Sequence, residues 1–436
     1  MNEGVAAYKL AKKLFPIYRS ITGDGVRESL RLIDEYIGKG TLSIHEVRSG
    51  EKAFDWKVPR EWNINDAYIE DEQGNRFAEF KENNLHVVGY STPLDRWMDL
   101  NELTKHIYTQ KDQPDAIPYV TSYYSERFGF CMSEEEKRML HPGKYHAVID
   151  SVFTEGALTY ADIIIPGETD EEILFSTYTC HPSMANDNCS GMVLSASLAK
   201  YIKSLEKRRY TYRFVFAPET IGAIVYLSQK NRLEYMKKHT KGGFTFSCVG
   251  DSGGYSVINS KHADSLCDRA ISNILSLANV EIKNVYRQYS FLQRGSDERQ
   301  YSSPGVGIPV VGFCRTKYWE FPEYHTSLDT MDYISTDGLQ GSFDIMKQVV
   351  DLIEFNRKYK MAIPCEPQLG KRGLYPNVSQ KGIYDEVQAM MDFIAYADGE
   401  TDFIQISNDI KQPATVLIPI VNKLIDEELV ISEDIG

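Results

Sequence analysis

From residue 146 onward the chain alternates short apolar runs with longer amphipathic segments. The apolar runs have the length and composition of buried strands, and the segments between them have the 3.6-residue spacing of helices. The predicted strands are 146–152, 158–165, 172–179, 211–217, 244–250 and 308–313, and the predicted helices are 190–205, 221–230, 264–278 and 337–357. This alternation predicts an α/β fold with a mixed central sheet and helices on both faces.

Two amphipathic helices and an alternating strand precede this region, at 5–20, 26–38 and 42–48. We assign them to the same domain, which is then discontinuous and comprises residues 1–55 and 146–360. The residues between, 56–145, contain three of the four tryptophans and short β-like runs separated by turn signals such as DEQGN. They predict an inserted β-rich domain that forms a separate lobe, borders the cleft and restricts it to small or terminal substrates.

The C-terminal residues 366–436 follow a proline-containing linker and show a helix, a short segment and a second helix, which is typical of a winged-helix domain. DNA binding is the usual function of such a domain. These residues, however, hold five Lys or Arg and thirteen Asp or Glu, a net charge of −8. A surface that binds phosphates needs the opposite sign. We therefore expect a domain for packing, protein contacts or oligomerisation.

The composition narrows the protein class further. The chain has 436 residues, 42% hydrophobic and 25% charged, which indicates a globular protein of two or three domains. The net charge of −14 argues against nucleic acid or an anionic membrane as the main partner. No apolar run is long enough to span a membrane, and the N-terminus lacks a signal-peptide pattern. Seven scattered cysteines without CxxC spacing predict reduced thiols and a cytoplasmic protein.

No glycine-rich phosphate-binding motif follows any predicted strand, so a nucleotide cofactor is not expected. Histidines and carboxylates do follow several strands. In an open α/β sheet, ligands bind at the carboxyl ends of the strands. Each residue alone also fits a structural role as a loop histidine, helix cap or turn former. Together they predict a divalent-metal site with a glutamate as the water-activating base, formed by His181, Asp187, Glu219, Asp251 and His325.

These residues resemble the zinc exopeptidase superfamily, the fold of double-zinc aminopeptidases and glutaminyl cyclases. DNCSG at 187–191 is similar to that family's DNASG motif with its metal-bridging aspartate, and YHT at 324–326 to its late histidine ligand. APETIG at 217–222 is similar to the segment with the catalytic glutamate. The resemblance covers roughly residues 1–50 and 146–360. It implies Glu219 as the base and, as metal ligands, His181, Asp187, Asp251 and His325.

The loop GSDERQY at 295–301 also resembles the loop before the penultimate strand of that family. The residues that we expect beside the substrate or behind the metal ligands are Thr220, Asp297, Glu298, Arg299, Tyr324 and Asp329. The whole layout is most similar to a bacterial aminopeptidase-like family with an inserted β domain and a C-terminal winged helix. Its members are often labelled as polysaccharide-biosynthesis proteins from genomic context, a label that names no substrate.

Two positions depart from the family pattern. Thr220 stands where the family has a second glutamate ligand, and Ser183 stands where an aspartate orients the first histidine. The resemblance then implies one tightly held zinc on His181, Asp187 and Asp251, and a second, weak site with Asp187 and His325. In the alternative, one metal is shared by His181, Asp187 and His325, with Asp251 behind them.

The sequence therefore predicts a zinc-dependent hydrolase of a terminal peptide or other amide bond. The resemblance implies that it is aminopeptidase-like and acts on small peptide-like amides. Two alternatives stay open. One is a catalytically weak or inactive binding protein that retains the peptidase fold. The other is an amide hydrolase that acts on an acyl-amino or amino-sugar substrate in surface polysaccharide metabolism.

Overall fold

The computed structural model describes residues 2–278, 280–374 and 383–433. The strands, numbered in chain order, are β1 Ser43–Arg48, β2 Lys52–Ala53, β3 Trp56–Lys57, β4 Glu61–Asp71, β5 Arg76–Phe77, β6 Leu94–Asp99, β7 Ile107–Tyr108, β8 Phe130–Cys131, β9 Lys144–Thr154, β10 Ala157–Ile165, β11 Glu172–Tyr178, β12 Thr211–Ala217, β13 Thr240–Phe246, β14 Tyr255–Ile258, β15 Tyr286–Tyr289, β16 Val310–Cys314, β17 Lys358–Met361, β18 Asp398–Asp402 and β19 Val430–Glu433.

The α-helices are α1 Glu3–Leu14, α2 Asp24–Ile37, α3 Leu100–Leu103, α4 Glu134–Lys137, α5 Gly191–Ser204, α6 Ile221–Ser228, α7 Arg232–His239, α8 Leu266–Ser276, α9 Val280–Val285, α10 Glu298–Tyr301, α11 Thr336–Phe355, α12 Ile383–Tyr396, α13 Phe403–Asp409 and α14 Ala414–Asp426. The chain divides into two compact units, Met1–Lys261 with Gln288–Phe343 and His262–Arg287 with Asp344–Gly436. None of the described helices is long and apolar enough to cross a membrane.

The first unit is built on an eight-stranded mixed sheet of order β1-β10-β12-β11-β13-β16-β14-β15. Strands β12, β11, β13 and β16 are parallel, and β1, β10 and β14 pair antiparallel to their neighbours. On one face Leu174 and Val215 pack in a core with α6. Adjacent residues of a strand point to opposite faces, so Phe175 lies on the other face, where its ring stacks on those of Phe214 and Phe244. The predicted mixed α/β sheet is confirmed, and its four parallel strands bring their carboxyl ends to one edge.

The inserted residues form a second, four-stranded sheet of order β5-β4-β9-β6. It has its own core, which includes Ala67, Ile69, Ala147 and Ile149. We predicted that strand 146–152 belongs to the central sheet, but β9 pairs with β4 and β6 instead, so the boundary at 145 is wrong. The physical reason lies in the burial pattern: buried and more exposed residues alternate along β9, as they do in antiparallel sheets with one solvated face.

The second unit contains a three-stranded sheet of order β18-β17-β19 and helices α12, α13 and α14. Strand β17 pairs with both neighbours, so this domain begins before residue 366 and the predicted end of the α/β domain at 360 is too late. Helix α8, which we assigned to the α/β domain, also lies in this unit, where Asn273 donates a hydrogen bond to Ser407 Oγ over 2.9 Å. Strand β17 was missed because KYKM is short and half polar.

Two element boundaries also differ from prediction. The first helix ends at Leu14 rather than near residue 20, because Pro16 has no N–H with which to continue the helix hydrogen bonds. The strand predicted at 244–250 lies at Thr240–Phe246, which leaves Asp251 on a loop beyond the strand end.

Candidate metal centre

The candidate residues lie on loops at the carboxyl edge of the parallel strands. The loop after β11 carries His181 and Asp187, the turn after β12 carries Glu219, and the loop after β13 carries Asp251. His325 lies on the long connection between β16 and α11. The sheet thus brings together residues that are up to 144 positions apart, as between His181 and His325.

Three of the four predicted ligands form one cluster. One ligand atom each from His181, Asp187 and His325 lies within 4.8 Å of the other two. Asp187 Oδ2 is 3.0 Å from His325 Nε2 and 4.0 Å from His181 Nε2. The Asp187 side chain is fully buried, and that of His181 is 5% exposed. Two imidazole nitrogens and a carboxylate oxygen are a suitable ligand set for zinc.

The hydrogen bonding in the cluster supports a cation there. Asp187 Oδ2 and His325 Nε2 are buried, and among the described residues neither has a partner in hydrogen-bonding geometry, although the two atoms form an ion pair with each other over 3.0 Å. A bound cation would satisfy both atoms, which otherwise leave hydrogen-bonding capacity unused in a buried site. Tyr178 donates its hydroxyl proton to the other carboxylate oxygen, Oδ1, of Asp187, so Oδ2 is left for the cluster. The residues present therefore fit a divalent metal ion.

His181 is held in the form that binds a metal. Its Nδ1 contacts Cys180 Sγ at 3.3 Å, which leaves Nε2 facing Asp187. Arg19, itself buried, donates from Nε to the His181 carbonyl oxygen over 3.1 Å and fixes the backbone. Burial lowers the pKa of His181 to about 4, with His325 and Arg19 acting in the same direction. The imidazole is therefore neutral at pH 7, as metal coordination requires.

Asp251 lies outside this cluster of described residues. Its Oδ1 accepts hydrogen bonds from Thr316 Oγ1 and the Gly253 amide, both at 2.7 Å. Its Oδ2 accepts from Asn186 Nδ2 at 3.0 Å and from the Thr316 amide at 3.1 Å. These bonds occupy both oxygens, so Asp251 supports the residue next to Asp187 instead of joining the three ligand atoms. The structure thus groups the residues as in the single-metal alternative.

Glu219 lies beside the cluster, with Oε2 3.9 Å from His181 Nε2. Its side chain is 22% exposed and lines a cavity that reaches both histidines. Burial raises the pKa of Glu219 well above its ordinary value, and the negative charges of Asp297 and Asp187 raise it further. A carboxylate with a raised pKa beside a candidate metal site is a stronger base than an ordinary carboxylate, as a proton acceptor for water requires.

Thr220 is not directed at the cluster, because two other residues hold it. Its amide donates to Asp297 Oδ1 over 2.7 Å, and its hydroxyl accepts from Arg299 Nη2 over 2.6 Å. Thr220 has a φ of 63°, a left-handed conformation that non-glycine residues rarely adopt. Asp297 is buried, and burial raises its pKa to about 7.

The other predicted neighbours have separate roles. Glu298 is buried and accepts hydrogen bonds from the Gly295 amide over 2.8 Å and the Tyr318 hydroxyl over 3.1 Å, so it organises its own loop. The ring of Tyr324 stacks on that of the adjacent His325, with the centroids 3.9 Å apart. Asp329 accepts hydrogen bonds from the backbone amides of Asn186 and Asp187 over 2.7 and 2.8 Å and so fixes the loop that carries the candidate ligand Asp187.

The family model described as a domain of unknown function, DUF4910, matches residues 8–356, and a winged helix-turn-helix model matches residues 357–432. This chain belongs to the DUF4910 family. A Clostridium acetobutylicum protein, provisionally named a polysaccharide biosynthesis protein with an aminopeptidase-like domain, is 44% identical over 407 residues, which cover 93% of this chain and 91% of the relative.

Solved structures agree with this assignment. The crystal structure of a protein from C. acetobutylicum, described as a peptidase, is 41% identical, with a TM-score of 0.91 over 99% of this chain and 96% of that one. A zinc aminopeptidase from Bacillus subtilis is 15% identical, with a TM-score of 0.58 over 80% of this chain and 93% of that one. The DUF4910 chain therefore has an aminopeptidase-like fold with a C-terminal winged helix, as the sequence resemblance implied.

Sequence reasoning missed several residues of the DUF4910 site. Tyr119 lies with its ring centroid 5.2 Å from those of both His181 and His325. Tyr178 and Arg19 orient the ligands, as described above. Residues 56–145 contain several tyrosines, and no spacing pattern separates Tyr119 from the others. The buried Arg19 lies in a segment that we predicted as an ordinary amphipathic helix.

Replacing Asp329 with alanine is expected to lower the free energy of unfolding by about 3 kcal/mol, because two buried amides, of Asn186 and Asp187, lose their acceptor. The displaced loop should also weaken metal binding. Chemical denaturation of the metal-free protein and metal titration measure the two effects. Asp332→Ala, an exposed carboxylate on the same connection, is the matched control and should change neither. Equal stability of Asp329→Ala and wild type would contradict this role.

Proposed function

We propose that this DUF4910 protein is a zinc-dependent hydrolase of a terminal peptide or other amide bond. The observation that carries the proposal is the cluster of Asp187 Oδ2 and His325 Nε2, two buried atoms without a partner in hydrogen-bonding geometry among the described residues, beside the neutral His181 and the carboxylate of Glu219. The aminopeptidase-like fold supports the same reaction class.

In this proposal His181, Asp187 and His325 hold the zinc ion. When bound, zinc would polarise the scissile carbonyl and lower the pKa of an adjacent water molecule. Tyr178 and Asp329 keep Asp187 in place, the first through its side chain and the second through its backbone. Glu219 takes a proton from the attacking water and delivers it to the leaving amine, so its raised pKa matches both steps.

The main alternative is a binding protein without catalysis. Its support is Thr220, which stands where the related family has a second carboxylate and is held away from the cluster by Asp297 and Arg299. The retained base, Glu219, and the three clustered ligands favour the hydrolase. An amide of an amino sugar is the other substrate class, and it is motivated by the name of the C. acetobutylicum relative.

The test compares zinc-loaded protein with protein stripped by a chelator on aminoacyl, acyl-amino and N-acyl-sugar amides. We expect cleavage of at least one peptide-like amide that disappears with the metal and returns when zinc is restored. Absence of cleavage of every amide by the zinc-loaded protein would contradict the proposal and favour the binding protein.

For the winged-helix domain we propose protein contacts or oligomerisation. Its net charge of −8 disfavours nucleic acid, and Lys423, on helix α14, is paired with Glu386 at 2.6 Å. We also propose a cytoplasmic location, which the buried, unbridged cysteines among the described residues support.

A further inference from the structure

The cavity beside the candidate metal centre has a volume of about 290 Å³. His181, His325 and Glu219 lie at its inner end. Four aromatic side chains, which we call the aromatic wall, line it: Trp56, Tyr119, Tyr123 and Tyr124. Trp56 lies on strand β3, and the three tyrosines lie between β7 and β8 in the inserted residues. None of the four belongs to the α/β sheet. The size is at the lower end for ligand pockets, so it suits one residue-sized group.

The aromatic wall leads from the metal ligands to solvent. Tyr119 packs against both histidine rings at centroid distances of 5.2 Å, and its hydroxyl lies 3.2 Å from that of Tyr123. At the outer end the rings of Trp56 and Tyr124 meet edge to face, 5.4 Å apart, and both are partly exposed. Ring faces and edges of this kind favour another flat apolar ring. A sugar would need several hydrogen-bond partners for its hydroxyls, and the hydroxyls of Tyr119 and Tyr123 use part of their capacity on each other.

The charges in the cavity constrain the ligand as well. Among the described residues that line it, Glu219 is the only carboxylate, and none is Lys or Arg. The proposed function uses Glu219 for proton transfer, so no carboxylate is left to hold a substrate ammonium group. A substrate whose own nitrogen is acylated carries no charge at that nitrogen and needs no such partner.

We propose that the aromatic wall is a specificity pocket for an aromatic amino-acid residue whose own nitrogen is acylated, with the scissile amide on its carboxyl side. This inference rests on the proposed function and names its substrate class. In the reaction, the water oxygen bonds to the carbonyl carbon and the carbon–nitrogen bond breaks. The products are an N-acyl amino acid and an amine, and the amine receives its proton through Glu219.

The kinetic test uses three p-nitroanilides with zinc-loaded protein: N-acetyl-phenylalanine, free phenylalanine and N-acetyl-alanine. We expect kcat/KM for the first to exceed the other two by about 10-fold or more, the size of effect that a well-filled apolar pocket supplies. Preference for the free amine, or equal rates with alanine, overturns the inference and leaves the proposed hydrolase standing.

The binding test separates the two proposals, because it needs no turnover. Calorimetry of the metal-free protein compares N-acetyl-phenylalaninamide, phenylalaninamide and N-acetylglucosamine. We expect the first to bind at least about 10-fold more tightly than the others. If it does so while no amide is cleaved, this inference stands and the hydrolase falls. Equal or tighter binding of either competitor, or no binding of all three, overturns the inference.

The variants Trp56→Ala and Tyr124→Ala should each weaken binding of N-acetyl-phenylalaninamide by about 10-fold, because each removes one ring from the wall. Trp97→Ala is the matched control. Trp97 is 51% exposed, stacks on His146 in the inserted sheet and does not line the cavity. Its substitution should leave binding unchanged. Unaltered binding in both wall variants would also contradict the proposal.

Discussion

Glu219→Gln is expected to lower kcat for amide hydrolysis by about 10³-fold, the range that general acid–base catalysis contributes. The reason is that an amide cannot take a proton from water at the position where the Glu219 carboxylate lies, 3.9 Å from His181 Nε2. The cavity changes little, because glutamine has nearly the same shape. Steady-state kinetics of the zinc-loaded variant on the best substrate measures the effect.

Two comparisons make the Glu219 result specific. The zinc content of Glu219→Gln should equal that of wild type, since Glu219 is not in the cluster of His181, Asp187 and His325. Glu126→Gln, an exposed carboxylate paired with Arg60, should retain full activity. Activity of Glu219→Gln within a few-fold of wild type would show that this residue is not the base. Loss of zinc in that variant would make it a ligand.

The metal content after exhaustive dialysis is expected to be close to one zinc per chain. Three protein ligands that leave one position for water are the usual arrangement of catalytic zinc. A second ion would have no carboxylate at position 220, where the threonine is held by Asp297 and Arg299. Any second zinc should therefore bind weakly and only when metal is in excess. Elemental analysis and a zinc titration with a chelating indicator measure both.

Variants test which residues hold that ion. Asp187→Ala and His325→Ala should abolish tight zinc binding, because each removes one of three ligand atoms. Asp251→Asn should weaken it by only about 10- to 100-fold, as for residues that orient ligands. Two tightly held zinc ions per wild-type chain, or activity without any metal, would show this assignment of ligands to be wrong. A loss in Asp251→Asn as complete as in Asp187→Ala would restore Asp251 as a ligand.

Much of the α/β domain could be predicted because its signals are local. Strand 211–217 and helix α5 were placed within one residue, since buried parallel strands and their helices have distinct periods of apolar residues. The site could be predicted for a second reason, because polar residues that follow parallel strands meet at one edge of the sheet. His181, Asp187, Glu219 and His325 are brought together there.

Other features could not be predicted, because they depend on partners distant in sequence. Strand β9 has the composition of a central strand, and only its pairing with β4 and β6 places it in the inserted sheet. The short polar strand β17 is stabilised by neighbours about 40 and 70 residues later, β18 and β19, and gives little local signal. The spacing of elements in sequence carries no information about such pairing choices.

The sequence by itself determined the fold class, the winged helix and the residues that could bind a metal, because periodicity and side-chain chemistry are local properties. Only the tertiary structure showed which of those residues lie in the candidate metal cluster and which of them support it. In it, Asp251 accepts a hydrogen bond from Thr316, and Thr220 accepts one from Arg299. Tyr119 of the inserted residues packs against the rings of His181 and His325. A carboxylate is available to a metal only where other donors leave one of its lone pairs free, and that depends on packing between segments far apart in the chain.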